Sequence, residues 1–217
     1  MKKIKSFLLL IILLFLTLLI VGSISFLIIY NLGFSELTAT FVSSQLSILF
    51  YALVLVKFDY KYLINSLKKK ITKKVLWQTL LLTLAILLVN SSISLMLPSD
   101  FSSDTTILAA TSGTIFLSVI MPVIVAPIFE ELAFRVGLKH YLVDKAGLST
   151  IFFIITSSVI FGALHWQPGE LGLAIVLLTG AIGLLKSWTY IKTNNALITI
   201  GAHMIYNGLV MIIALAM

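Results

Sequence analysis

Apolar residues run along this chain in seven long blocks separated by short polar stretches. The blocks cover roughly 6–30, 35–56, 75–97, 113–139, 148–166, 171–190 and 195–215, and about 20 mainly apolar residues suffice for a helix to cross a bilayer. The pattern predicts an all-α, polytopic membrane helical bundle of about seven transmembrane helices. The first block follows Met1-Lys2-Lys3-Ile4-Lys5, a start that a secretory signal also has. It runs on to Tyr30 with no small-residue cleavage site, so an uncleaved first span is expected. Six spans with an interfacial first segment is the competing count.

Composition supports that picture. Of 217 residues, 60% are apolar and 11% charged, against about 45–50% and about 25% in a soluble domain. Mean hydropathy is +1.14. A soluble enzyme, a nucleic-acid binder and a disordered chain are disfavoured on these grounds. Without Cys there are no disulfides, no thiol chemistry and no thiolate-ligated zinc.

The charge of +7 is distributed as membrane topology would place it. With the N-terminus in the cytoplasm, the connections 57–74, 140–147 and 186–194 are also cytoplasmic. They carry Lys57, Lys61, Lys68, Lys69, Lys70, Lys73, Lys74, Lys145, Lys186 and Lys192, with Lys139 at the end of the fourth span on the same side. The opposite loops, 31–34, 98–112 and 167–170, hold Asp100, Asp104 and Glu170 but no Lys or Arg. The positive-inside rule then gives an N-in orientation. The stretch 57–74 reads either as a short amphipathic helix on the anionic leaflet or as a charged loop. No internal repeat of a transporter kind is visible.

Ionisable side chains inside a bilayer cost roughly 2.5–3.5 kcal/mol each on insertion scales and are functional candidates. The fourth block contains Glu130, Glu131 and Arg135, the fifth ends with His165, and the seventh holds His203 and Asn207. Glu131 and Arg135 are four apart and can pair on one helix face, as can His203 and Asn207. Glu130 points about 100° away from Glu131, so the two carboxylates are free to do different jobs. Pro122 and Pro127 remove donors just before them, leaving the Ser118 and Val123 carbonyls open in an α-helical register. Such a helix face belongs against protein or a wet cavity. Trp166 is expected as an interfacial anchor, Phe161 and Tyr206 as packing residues, and His140 as a solvated helix end.

These groups suit hydrolysis. A carboxylate in an apolar pocket can act as general base, a His can hold the water, and a His–Asn pair can donate to an oxyanion. Ser157 and Ser158 lie two turns from His165, a poor spacing for a serine nucleophile and its base. Two His and one Glu also form a known zinc set, but they come from three blocks, with no His-Glu-x-x-His cluster. No cofactor is therefore expected, with zinc as the alternative. Taken singly, the Glu–Arg pair and each His also fit helix-packing roles.

Glu130-Glu131-x-x-x-Arg135, Phe161-x-x-x-His165 and His203-x-x-x-Asn207, in that order, resemble the CAAX protease and bacteriocin-processing (Abi) family of intramembrane proteases. The resemblance covers about 110–215. It implies a single transmembrane domain over 1–217, with 110–217 as the catalytic core and 1–110 as N-terminal spans outside the motifs. It also implies a multi-pass protein of the cell membrane, bacterial by its Lys bias, that cleaves a hydrophobic or membrane-anchored peptide. Glu130 would activate water with His165, His203 and Asn207 would form the oxyanion side, and Arg135 and Glu131 would support Glu130. The family commonly has Gly after the motif Arg, where Val136 stands here. A non-catalytic immunity or scaffold protein binding a hydrophobic peptide is the second reading, and proton-coupled transport the third.

One tension remains within these expectations. At about 1.5 Å per residue, Glu130 and His203 lie roughly 12–14 Å from the inner ends of their blocks, while His165 lies about 25 Å from the inner end of its own. A Gln167-Pro168-Gly169 turn dipping into the membrane would bring them together.

Overall fold

The computed structural model describes residues 2–94, 116–166 and 172–216, and among them there is helix but no strand. Helix α1 (Lys2–Leu16) passes through a π-helical turn, Thr17–Val21, into α2 (Gly22–Asn31). Helix α3 (Glu36–Leu55) starts at Ser35, whose hydroxyl accepts from the Thr38 N–H, and the carboxylate of Glu36 suits its N-terminal end. The short helix α4 (Tyr60–Leu67) is capped in the same way by Asp59, and α5 (Lys73–Ser94) follows.

The chain then runs as π-helix over Phe116–Val125, as α6 (Ala126–Glu131), and as π-helix again over Leu132–Gly137 and His140–Lys145. The joining residues Val125, Leu132, Leu138 and Lys139 keep right-handed helical dihedrals, so this is one helical path with changes of register. Helix α7 (Thr150–Ala163) is capped by Ser149. The last two helices are α8 (Gly172–Thr193) and α9 (Ala196–Ala216).

Five helical stretches among the described residues are long and apolar enough to cross a membrane: Leu8–Asn31, Thr38–Leu55, Lys73–Ser92, Gly172–Thr193 and Ala196–Ile213. The other two expected spans differ from the reading above. The fourth is interrupted by π segments and carries its helical path on to Lys145. The fifth, expected over 148–166, is a helix of only 14 residues, about 21 Å long against about 30 Å of hydrocarbon.

Helix α3 packs between the first helical path, α1 to α2, and the stretch Ala126–Gly137. Its Ile48, Tyr51, Ala52 and Leu55 join Leu132, Phe134, Val136, Phe153 and Phe161 in one core. A second core links α5, α8 and α9 through Leu82, Ile86, Leu178, Ile182, Ile198 and Ala202. Helices α7 and α8 touch almost backbone to backbone, since a Cβ on Gly162 would lie 2.5 Å from the Val176 carbonyl oxygen. The outer faces of α1, α2 and α5 expose Ile12, Phe15, Ile28, Leu81 and Leu88, as surfaces facing lipid do.

The Lys-rich connections gather at one end. Lys69 Nζ donates to the Asn194 carbonyl at 2.6 Å, and the Tyr62 ring lies 4.2 Å from the His140 ring, centroid to centroid. His140 is not a solvated helix end: its side chain is 15% exposed, with Asp144 3.7 Å away. Burial lowers its pKa, with Lys145 adding to the effect and Asp144 opposing it. The stretch 57–74 does contain a helix, α4, and that helix buries Leu63 in the protein core. The expected outer turn at 167–170 lies outside the described residues.

Candidate active site

The pairing of Glu131 with Arg135 follows from their spacing of four, and it forms: Arg135 Nε stands 3.2 Å from Glu131 Oε2, with neither side chain exposed. A second cation closes on the other oxygen. Lys186, from α8, brings Nζ to 2.7 Å from Glu131 Oε1, again at zero exposure. His203, from α9, places Nδ1 3.2 Å from the same oxygen and 3.1 Å from Lys186 Nζ. Arg135 donates onward to Ser157 at 2.8 Å, and Ser157 donates to the Phe134 carbonyl at 2.7 Å. Ser187 donates to the Gly183 carbonyl at 2.8 Å, with its oxygen also 3.2 Å from Ser157. The hydroxyl of Ser157 is thus engaged in holding Arg135, and that of Ser158 donates to the Ile154 carbonyl at 2.6 Å.

Phe161 sits between these charges. Its ring lies 4.0 Å from Lys186 Nζ and 5.1 Å from the Arg135 guanidinium carbon. A ring face attracts cations, and more strongly where water is excluded. The packing role read for Phe161 therefore has an electrostatic side.

Glu130, one residue before Glu131, lines a cavity of about 340 Å³. Glu130 is 6% exposed, and its Oε2 lies 3.9 Å from His203 Nε2. That is too long for a hydrogen bond. Gln45 of α3 lines the same cavity as this carboxylate. Glu130 Oε2 and Gln45 Oε1 are both buried with no donor to either among the described residues.

His165 and Asn207 line the same cavity. His165 follows the last turn of α7, its Nδ1 2.7 Å from the Phe161 carbonyl oxygen and its ring 4.6 Å from the Phe161 ring. A carbonyl only accepts, so Nδ1 carries the proton of this bond and a neutral ring keeps its lone pair on Nε2. Asn207 Nδ2 donates to the Pro122 carbonyl at 2.8 Å. The remaining lining is mostly apolar and includes Leu18, Phe41, Ile48, Ile86, Ile175 and Leu178.

Residues 111–209 match the family model described as type II CAAX prenyl endopeptidase, Rce1-like. It is the family that the three motifs resemble. No curated protein and no solved structure matches the chain. All six motif residues with a predicted site role lie in the Rce1-like segment. Four of them, Glu130, His165, His203 and Asn207, line the cavity, while Glu131 and Arg135 lie behind it. Gln45, Phe41, Ile48, Ile86 and Asn90 reach the cavity from before the Rce1-like segment.

Several expectations need correction. Lys186 is not a charge of the cytoplasmic connection; it is a buried partner of Glu131, deep in α8. The depth mismatch of His165 disappears: the fourth helical path runs on to Lys145, which sets Glu130 farther from its inner end, and Glu130, His165 and His203 line one cavity. The open carbonyl near Pro127 is shifted too. In the π register of Phe116–Val125 the bond after the last one formed would need the N–H of Pro127, which does not exist. The Pro122 carbonyl is the one left over, and Asn207 takes it. Val136 is buried in the core, and the close helix approach is at Gly137, where a Cβ would stand 3.2 Å from Leu55 Cδ1.

Zinc needs several N, O or S ligands converging on one point. Among the described residues no three His, Cys, Asp or Glu side chains are so arranged. The inner side of Glu131 and His203 already faces the Lys186 ammonium.

Proposed function

We propose that this protein is an intramembrane endopeptidase that hydrolyses a hydrophobic or membrane-anchored peptide with a water activated by Glu130. The observation that carries the reading is the Glu130 carboxylate. It is buried, it keeps an oxygen without a donor, and it faces a largely apolar cavity beside two imidazoles. The Rce1-like match over 111–209 supports the same class of reaction.

In this mechanism a water donates one proton to Glu130 Oε2, the carboxylate oxygen that needs a donor, and the other to the lone pair on Nε2 of His165. One water at about 2.8 Å from both Glu130 Oε2 and His203 Nε2 fits their 3.9 Å separation. Glu130 takes a proton as the water oxygen bonds to the peptide carbonyl carbon. The oxyanion that develops accepts from His203 and from the second amide proton of Asn207. Glu130 then returns the proton to the departing nitrogen as the C–N bond breaks. His165 helps to hold the water. Glu131, Arg135, Lys186 and Ser157 fix the helix that presents Glu130.

The test compares membrane peptides by mass spectrometry in cells carrying the wild-type protein or Glu130→Gln. Peptides cut by the wild type should persist in the variant, with turnover down about 100-fold or more. Undiminished cleavage by Glu130→Gln would remove the mechanism. Function that survives Glu130→Gln but fails when Ile48 or Leu178 is enlarged would favour a non-catalytic peptide-binding protein.

A further inference from the structure

The fully buried Lys186 is outside the three motifs, and the hydrolytic steps above give it no task beyond holding Glu131. Its surroundings give it one. An ammonium has three donors and no acceptor. Lys186 Nζ has Glu131 Oε1 at 2.7 Å, His203 Nδ1 at 3.1 Å and the face of Phe161 at 4.0 Å. We infer that Lys186 is a positioning residue whose ammonium donates to Nδ1 of His203 and so holds the ring proton on Nε2, facing Glu130 and the cavity. The task rests on the hydrolase reading; the tautomer does not.

The ring has two neutral tautomers, and charge decides between them. Nδ1 faces a cation and a carboxylate at almost equal range, Lys186 Nζ at 3.1 Å and Glu131 Oε1 at 3.2 Å. Alone these would nearly cancel. Arg135, 3.2 Å from the other oxygen of Glu131, offsets that carboxylate. Two cations thus stand against one anion on the inner side of the ring, which favours a lone pair there. On the cavity side Nε2 has the Glu130 carboxylate at 3.9 Å, which favours an N–H. Both ends select the same tautomer, and a buried setting strengthens the choice.

Removing Lys186 leaves one cation and one anion behind the ring. Nδ1 would then donate to Glu131, and Nε2 would turn a lone pair toward the cavity. A lone pair repels a developing oxyanion where an N–H stabilises it. The lysine therefore makes His203 a donor rather than a second base, and leaves Glu130 as the base.

The decisive measurement is a two-bond proton–nitrogen NMR correlation on the full chain, labelled with ¹⁵N-histidine, in detergent micelles. His203→Gln assigns the His203 signals among those of His140 and His165. Wild-type His203 should show the pattern of a proton on Nε2, and Lys186→Met should move it to the Nδ1–H pattern. A wild-type ring with its proton on Nδ1, or on both nitrogens, overturns the inference. So does an unchanged pattern in a Lys186→Met protein that keeps the His165 signals in place. If that variant does not fold, the wild-type spectrum alone decides. In the peptide assay Lys186→Met should lower kcat at least tenfold with KM within twofold, the mark of an interaction made in the transition state. A wild-type protein that cleaves no peptide would sink the hydrolase reading while the spectrum still settles the tautomer.

Discussion

Oε1 of Glu131 lies 2.7 Å from Nζ of Lys186, and neither side chain has any exposure. Removing one member of a buried pair costs roughly 3–5 kcal/mol, because the partner stays buried and uncompensated. Glu131→Gln strands both Lys186 and Arg135 and should lower thermal stability in detergent by about that amount, and Lys186→Met should cost less, because Arg135 still faces Glu131. The double variant should cost clearly less than the sum, since neither change then strands a charge on the other. Additive losses would mean that the two side chains do not share a pair.

The contact of α7 with α8 depends on a missing Cβ. At Gly162 it would meet the Val176 carbonyl oxygen at 2.5 Å and the Gly180 backbone nitrogen at 3.0 Å. Backbone cannot step aside as a flexible side chain can, so Gly162→Ala should destabilise the fold by about 1–3 kcal/mol, the range for overpacking. At Gly180 the nearest atom stands at 3.5 Å, an ordinary contact. Gly180→Ala should fall within about 0.5 kcal/mol of the wild type or improve on it, as a helix gains from losing a glycine. Thermal unfolding of the two variants side by side checks both.

Asn207 holds the Pro122 carbonyl with one amide proton and has a second to offer an oxyanion. Asn207→Leu loses both bonds at similar volume. Cleavage should fall about 10²–10³-fold, the range for one oxyanion donor. Asn207→Ser, able to restore one bond, should fall between. A leucine variant as active as the wild type would confine Asn207 to a packing role.

At the Lys-rich end, burial and then Lys145 lower the pKa of His140, Lys139 adds to this, and Asp144 opposes it. Tyr62 covers the ring. A base with a depressed folded pKa takes up its proton more readily unfolded. Its stabilising contribution is complete above the unfolded value, about 6.5, and is lost as the pH falls through the folded one. The His140 ring should titrate below its ordinary value by NMR. Melting temperature should decline on acidification below about pH 6.5, and His140→Phe should flatten that decline.

Much of this was legible in the chain, and the exceptions have physical reasons. Five crossing helices and the Glu131–Arg135 pair follow from block length and a spacing of four, both local properties. Lys186 was misread because a lysine near a helix end ordinarily reaches back to the interface. Here it lies six residues before Lys192 in a 22-residue helix, roughly 9 Å deeper, and carboxylate and ring wait for it on other helices. Only tertiary structure shows those partners. His165 was placed too far from Glu130 because the fourth block was ended at position 139, whereas its helical path runs on to Lys145. Gln45 carries no motif, and nothing local says that α3 would pass beside Glu130.

The π-helical stretch Phe116–Val125 ends one residue before α6 begins. Such turns accommodate additional residues relative to α-helix, and each residue added or removed swings everything downstream by about 100°. The acidic pair at 130 and 131 differs by that same angle. Whether the first or the second carboxylate looks into the cavity is thus decided upstream, by how loosely the chain is wound before it arrives. A single-codon deletion there would bring Glu131 round to where Glu130 points and carry Glu130 on to the place of Phe129.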